Sequence, residues 1–199
     1  KGHEVRVWNR SAAKTAQWTA KGGKGKAANA PEDAIAGAEF VFMCLGDDPD
    51  VDEVFRHIEP ALKAGMVVID HTTGSADLAR RLSSRCENKR ASFLDAPVSG
   101  GQAGAENGQL TVMVGGEQAD FDHAKPVIDS YARACVLLGA VGSGQLAKMV
   151  NQICIAGLVQ GLAEGMNFAM KAGLDPVKLV ETISKGAAQS WQMENRAMT

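Results

Sequence analysis

The sequence predicts an α/β fold, with a mostly parallel sheet over residues 1–140 and an all-α domain over residues 141–199 that a long interdomain helix enters. Three observations carry this. Short apolar runs alternate with segments of helical periodicity as far as residue 138, the pattern of strands joined by crossover helices. Two of the runs, Phe40-Val-Phe-Met-Cys-Leu45 and Met66-Val-Val-Ile69, are continuously apolar, as parallel strands covered on both faces are. Beyond Gly142 no strand-like segment follows, and residues 143–172 read as one helix, apolar on most sides and roughly 45 Å long at about 1.5 Å per residue.

Taken in order, Glu4-Val-Arg-Val-Trp8 alternates polar and apolar residues and ends in the turn Asn9-Arg10-Ser11. Ser11 is suited to cap a helix over 12–21, closed by Gly22-Gly23. Pro31-Glu32-Asp33 opens a short helix, with proline and acids where a first turn favours them. After the strand 40–45, Gly46-Asp-Asp-Pro49 breaks the run and residues 51–64 are helical in pattern. Strand 66–69 ends at Asp70-His-Thr-Thr-Gly-Ser75, followed by helix 76–85 and strand 92–95. Residues 96–108 read as a long glycine-rich loop, followed by strand 110–114, helix 117–130 and strand 134–138. In the long helix Gly157, Gly161 and Gly165 recur every fourth residue and form a smooth seam for a second helix. Gly173-Leu-Asp-Pro176 ends it, a second helix starts at Pro176, and the chain is expected to stop inside or soon after that helix.

Composition narrows the function. A net charge of −2, with 45% hydrophobic and 22% charged residues and no basic cluster, argues against nucleic acid as the main partner. Cys44, Cys86, Cys135 and Cys154 lack metal or redox spacing, so they are expected to be reduced, buried thiols of a cytoplasmic protein. No unbroken apolar run is long enough to span a bilayer, and no apolar segment follows the first charges as in a signal peptide. Strand-like residues begin almost at residue 4 without a start methionine, so a fragment is expected at this end.

Four constellations carry chemistry. Lys148 is followed by Asn151 and Gln152, three and four residues on, and the next charge on the helix is Glu164; such spacing puts all three on one helix face. A lysine there is either a solvated, snorkelling side chain or one whose pKa is lowered by burial into the range of acid–base work. Val98-Ser99-Gly100-Gly101 starts the glycine-rich segment, and backbone N–H groups beside a hydroxyl make a nest for a carboxylate; otherwise it is a flexible connection. Asn9-Arg10-Ser11 stands where an acid would bind a ribose 2′-hydroxyl and an arginine suits a 2′-phosphate; the plainer reading is a solvated turn. Asp70-His71-Thr72-Thr73 lies at a strand's carboxyl end, with two hydroxyls and an imidazole for a cofactor and no metal-ligand spacing. Gly142-Ser-Gly-Gln-Leu-Ala147 fits G-x-G-x-x-A, but no strand and acid follow it, so it reads as a turn into the helix.

Two long stretches bring a resemblance. Phe93-Leu-Asp-Ala-Pro-Val-Ser-Gly-Gly-Gln-Ala-Gly-Ala-Glu-Asn-Gly108 resembles the substrate-binding signature of the β-hydroxyacid dehydrogenases, and Gly142-Ser-Gly-Gln-Leu-Ala-Lys-Met-Val-Asn151 their catalytic signature. The likeness includes Val7-Trp-Asn-Arg10, Asp70-His-Thr-Thr73 and Gly173-Leu-Asp-Pro176, in the right order. It implies a Rossmann-type dinucleotide domain whose first βα unit, with the pyrophosphate loop, lies upstream of Lys1, and a helical domain whose distal part, with a cofactor-covering lysine, lies beyond Thr199.

The resemblance also implies roles. Lys148 would be the general acid in reduction and the base in oxidation; Asn151, and Gln152 in some members, would orient substrate. Ser99, Gly100 and Gly101 would hold the substrate carboxylate, and Leu45 and Thr73 would line the nicotinamide and its ribose. Asn9, Arg10 and Ser11 resemble members that prefer NADP(H), with NAD(H) possible, especially the glyoxylate and succinic semialdehyde reductases. The implied reactions are glyoxylate or succinic semialdehyde reduction, or 3-hydroxyisobutyrate oxidation, in a homodimer or homotetramer held by the helical domain. Imine reductases share the fold but generally carry Asp or Tyr at the place of Lys148; chromatin-associated relatives lose the lysine and add basic modules; 6-phosphogluconate dehydrogenase would want a histidine before the asparagine.

Overall fold

The computed structural model describes residues 2–20 and 25–198, so the expected closure at Gly22-Gly23 lies outside the described residues. The chain splits into two compact units, Lys1–Lys148 and Met149–Thr199.

In the first unit β1 (Val5–Val7), α1 (Ala12–Ala20) and β2 (Gly25–Ala27) are followed by α2 (Pro31–Ile35), β3 (Phe40–Met43) and α3 (Asp48–Ile58). Next come β4 (Val67–Asp70), α4 (Ala76–Glu87), β5 (Ser92–Asp95), β6 (Val98–Ser99), α5 (Gly101–Glu106), β7 (Leu110–Val114), α6 (Gln118–Ile128) and β8 (Ala132–Leu137). β1 pairs in parallel with β2; β3, β4 and β5 form a parallel trio; β7 pairs in parallel with β8 and antiparallel with β6. An Asp95–Gly115 bridge joins β5 to the segment after β7. The expected α/β fold with a mostly parallel sheet is therefore what the chain forms.

Period-2 alternation explains the core. Val68 of β4 buries on one side with Val41, Met43 and Phe93, under Val51, Phe55 and Ile58 of α3 and Leu78 and Leu82 of α4. Val67 and Ile69 bury on the other side with Leu94, Val112, Val114 and the α6 residues Phe121, Ala124 and Ile128. The helices start where side chains can accept orphan backbone N–H groups: Asp47 accepts from the Asp50 N–H, and Ser75 from the Leu78 N–H.

Several expectations are corrected. β2 was not foreseen, because Gly25-Lys-Ala27 has neither β-branched nor aromatic residues; its glycine is required where a Cβ would meet the Val5 carbonyl oxygen and the Trp18 ring. The loop expected over 96–108 contains β6 and α5. β3 is not covered on both faces: Phe42 is 40% exposed and stacks on His71 at 5.7 Å between ring centroids. Cys86 and Cys135 are buried, but Cys44 and Cys154 are exposed.

The second unit is helical. α7 (Ser143–Lys171) starts in the first unit and continues into this one, followed by α8 (Pro176–Ile183) and α9 (Trp191–Arg196). The third helix was not expected. Asp175 caps α8 by accepting from the Val177 and Lys178 N–H groups, and Ser190 caps α9. By length and composition alone, among the described residues α7 is the one helix long and apolar enough, at a mean hydropathy of 1.3, to cross a bilayer. Polar residues interrupt the run but do not lower its mean sufficiently. Length and composition of this kind equally describe the central helix of a bundle.

Candidate active site

The carboxyl ends of β3, β4 and β5 lie in one register, Met43 beside Asp70 and Asp70 beside Asp95, at the edge where open α/β sheets bind ligands. Their loops are tied together by buried polar groups. The Thr72 hydroxyl, on a residue 2% exposed, accepts from the Leu45 N–H at 2.9 Å. The Asp70 carboxylate accepts from the Thr72 N–H at 2.9 Å. The Ser75 N–H and hydroxyl both donate to Asp48, at 2.8 and 2.5 Å. Burial pushes the Asp70 carboxyl up to about 6, against the hydrogen bonds from Thr72 and assisted by the charges of Asp95 and Asp48.

His71 and Thr72 are engaged by hydrogen bonds within the fold. The His71 Nδ1–H donates to the Ala96 carbonyl at 2.6 Å, and Nε2 lies 2.7 Å from the Tyr131 hydroxyl. Burial lowers the His71 pKa, so the ring is neutral and Nε2 accepts from the tyrosine. Of the three polar residues only Thr73 remains exposed, beside half-buried Leu45.

Asp95 organises the start of α7. Its side chain is fully buried; Oδ1 accepts from the Gly142 N–H at 2.7 Å and Oδ2 from the Gln145 N–H at 2.8 Å. Residues 142–147 thus do form an anion site at a helix N-terminus, and the anion is the chain's own carboxylate. Burial raises the Asp95 pKa, opposed by the backbone N–H groups of Gly142 and Gln145. Only glycine fits at 144, where a Cβ would stand 2.5 Å from the Met113 carbonyl oxygen and 2.6 Å from that of Asp95. Gln145, 2% exposed, donates to the Thr72 carbonyl at 2.7 Å and accepts from the Gly74 N–H at 3.0 Å, fastening α7 to the β4 loop. Neither Asp95 nor Gln145 was singled out from sequence, although both lie inside the two signatures; an acid closing an apolar strand was the available signal.

One turn on, Lys148 is 9% exposed and its Nζ donates to the Val98 carbonyl at 2.8 Å. The structure therefore brings the ammonium to the segment that carries Ser99, Gly100 and Gly101. Ser99 is half-buried on β6, paired with Thr111. Gly100 and Gly101 have φ of +128° and +60°, which favour glycine. Loss of solvent lowers the Lys148 pKa.

The other expected residues lie elsewhere. The Asn9 side chain accepts from the Ser11 N–H at 2.9 Å, and Arg10 Nη1 pairs with Asp50 Oδ1 at 2.9 Å. A cavity of about 360 Å³ beside this turn is lined by Trp8, Asn9, Arg10, Thr15 and Asn29, among others. Asn151 and Gln152 belong to the second unit, where Asn151 Nδ2 donates to Gln152 Oε1 at 3.0 Å. Half-buried Leu45 and exposed Thr73 stand on the loops after β3 and β4, and the exposed Arg10 guanidinium on the turn after β1, where polar and cationic groups remain available to a ligand.

Comparison with known proteins places the chain in a family. Residues 1–139 match the NAD binding domain of 6-phosphogluconate dehydrogenase, and residues 142–199 match the NAD-binding family of NADP-dependent 3-hydroxyisobutyrate dehydrogenase. An uncharacterized oxidoreductase of Shewanella frigidimarina is 59% identical over 201 residues, covering 100% of this chain and 69% of that protein. The 2-hydroxy-3-oxopropionate reductase of Escherichia coli is 34% identical over 160 residues, 79% of this chain and 55% of that enzyme. A structure of Mycobacterium tuberculosis 3-hydroxyisobutyrate dehydrogenase with L-serine superposes with a TM-score of 0.89 at 29% identity, over 100% of this chain and 67% of that one. The chain belongs to the 3-hydroxyisobutyrate dehydrogenase-like family of NAD(P)-dependent β-hydroxyacid dehydrogenases. Imine reductases at 21% and 22% identity share the fold.

Proposed function

We propose that this protein reduces a small aldehyde or keto acid with NADPH, and oxidises the corresponding hydroxy acid in reverse, with Lys148 as general acid and base. The observation that carries this is the 9% exposed Lys148 ammonium, hydrogen-bonded to the carbonyl that precedes Ser99-Gly100-Gly101. A bound reduced nicotinamide supplies the hydride. Ser99 and the backbone N–H groups of Gly100 and Gly101 hold the substrate carboxylate, which sets its carbonyl beside Lys148. As the carbonyl carbon gains hydride, Lys148 Nζ gives a proton to the oxygen, and loss of solvent makes that proton easier to release. Asn151, three residues further along α7, orients the substrate oxygen, with Gln152 behind it. Leu45 and Thr73 line the nicotinamide and its ribose. Asn9, Arg10 and Ser11 take the 2′-phosphate, the feature that favours NADPH over NADH.

Glyoxylate, succinic semialdehyde and 3-hydroxyisobutyrate are the substrates proposed, and the Escherichia coli relative's name adds 2-hydroxy-3-oxopropionate. Self-association through the helical unit belongs to the same proposal: Val150, Ile153 and Phe168 are 61–72% exposed, and a Cβ at Gly157, Gly161 or Gly165 would meet nothing within 4 Å. A panel of these acids with NADPH and NADH tests the reading. Lys148→Met should lower kcat about 10²- to 10⁴-fold while NADPH affinity is unchanged. Undiminished turnover in that variant would overturn the assignment.

A further inference from the structure

We propose that Asp50 is a specificity-determining residue for the dinucleotide, because its carboxylate occupies Arg10 and competes with a 2′-phosphate for it. The inference rests on the reading that Arg10 receives that phosphate. Arg10 Nη1 meets Asp50 Oδ1 at 2.9 Å, with the arginine side chain 78% exposed and the aspartate 30% exposed. One guanidinium nitrogen meets one carboxylate oxygen, so the remaining donors are open to an incoming anion.

Asp50 is held in place from two sides. Its N–H donates to Asp47 Oδ1 at 3.2 Å in the cap of α3. Its carboxylate lies over Gly46, where any Cβ would collide with Oδ2. The absence of a side chain at 46 therefore lets the acid fold over the carboxyl end of β3 and reach Arg10, 40 residues away in sequence. The neighbouring acids are engaged differently. Asp47 caps α3, Asp48 is bound by Ser75, and Asp52 pairs with Arg85 and Arg56. Asp50 is the acid of this segment that pairs with Arg10.

A phosphate dianion that reaches Arg10 must share it with Asp50 and so lie near a second negative charge. NADH, whose ribose carries a 2′-hydroxyl, meets neither obstacle. The selectivity for NADPH is therefore set by the pair, and Asp50 holds it below what Arg10 alone would give.

The experiment is titration calorimetry with NADPH, NADH, adenosine 2′,5′-bisphosphate and 5′-AMP against the unaltered protein, Asp50→Asn, Arg10→Ala and the double variant. Asp50→Asn should tighten NADPH and the bisphosphate roughly 3- to 10-fold, the range of a screened surface charge pair together with one repulsion. NADH and 5′-AMP should not change. Arg10→Ala should abolish the preference, and adding Asp50→Asn to it should tighten NADPH and the bisphosphate by less than it does in the parent, since only the repulsion is then relieved. If Arg10→Ala lowers the NADPH/NADH ratio while Asp50→Asn leaves it unaltered, the role of Asp50 is wrong and that of Arg10 stands. If Arg10→Ala leaves the ratio unaltered, or the unaltered protein binds none of the four, the phosphate reading falls and this inference with it.

Discussion

Lys148 illustrates how much one residue's surroundings decide. Sequence marks it only as an isolated charge on an apolar helix, with the next charge at Glu164, and most such lysines are solvated. In the structure it is 9% exposed, its ammonium donates to the neutral Val98 carbonyl, and its pKa lies below the usual lysine value for want of solvent. A general acid must hold its proton at the start of the step. The rate of carbonyl reduction should therefore fall as pH rises through the Lys148 pKa, and this alkaline limb should lie below the pH of an ordinary lysine. In the oxidative direction the same group must begin deprotonated, so the rate should rise over that window. Measuring kcat against pH in both directions checks the sign: two limbs that move the same way would exclude Lys148 as the group that titrates. Residual activity in Lys148→Met should lack the limb altogether.

At the scale of elements, α7 is fixed by the strand end that it meets. Asp95 accepts from Gly142 and Gln145 while Val98, three residues later, accepts from Lys148. The segment 95–98 thus holds both the helix start and the lysine one turn on. Asp95→Ala would leave two buried N–H donors without an acceptor, a loss of about 2–6 kcal/mol at roughly 1–3 kcal/mol each, whereas Asp95→Asn keeps an acceptor and should lose less. Chemical denaturation of the three proteins measures the order, and equal stability of Asp95→Ala and the parent would refute the tether. Gly144→Ala should be as damaging, since its methyl would press on two backbone carbonyls that cannot swing away. Apolar periodicity made most of this architecture legible: β4, β5 and β7 bury the residues that their runs display. Where tertiary contact replaces pattern, legibility ended. β2 is read from its pairing with β1, not from Gly25-Lys-Ala27; β6 is too short, and α5 too short and too rich in glycine, to show a period. The site divides in the same way. Lys148 and the Ser99–Gly101 segment stand out as residue types, but the inward turn of His71 depends on Tyr131, 60 residues away.

For the whole molecule, the chemistry at the sheet edge has consequences for stability. Asp70 sits in the register row between Met43 and Asp95, 4% exposed, and burial pushes its carboxyl up to about 6 in the fold from an ordinary value of 3.8. The folded form therefore binds a proton more tightly than the unfolded chain. Between about pH 4 and pH 6 it carries more protons than the unfolded chain, so stability falls as pH rises through that window and stays lower above it. At about 1.36 kcal/mol per tenfold change in affinity, the difference from 3.8 to about 6 corresponds to at most about 3 kcal/mol. Asp95 is shifted in the same direction by burial and adds to the slope. Asp70→Asn keeps an oxygen to accept from the Thr72 N–H and removes the ionisation, so it should stabilise the protein at pH 7.5 and change little near pH 4. Unfolding free energies of parent and variant across that range test the claim, and a variant with the parent's slope would show that another group titrates. Such a cost is tolerable because the carboxylate orders the Thr72 backbone, the Thr72 hydroxyl holds Leu45, and the Thr72 carbonyl receives Gln145 of α7. One destabilising acid thereby fixes the β3 and β4 loops and the start of the helix that carries Lys148.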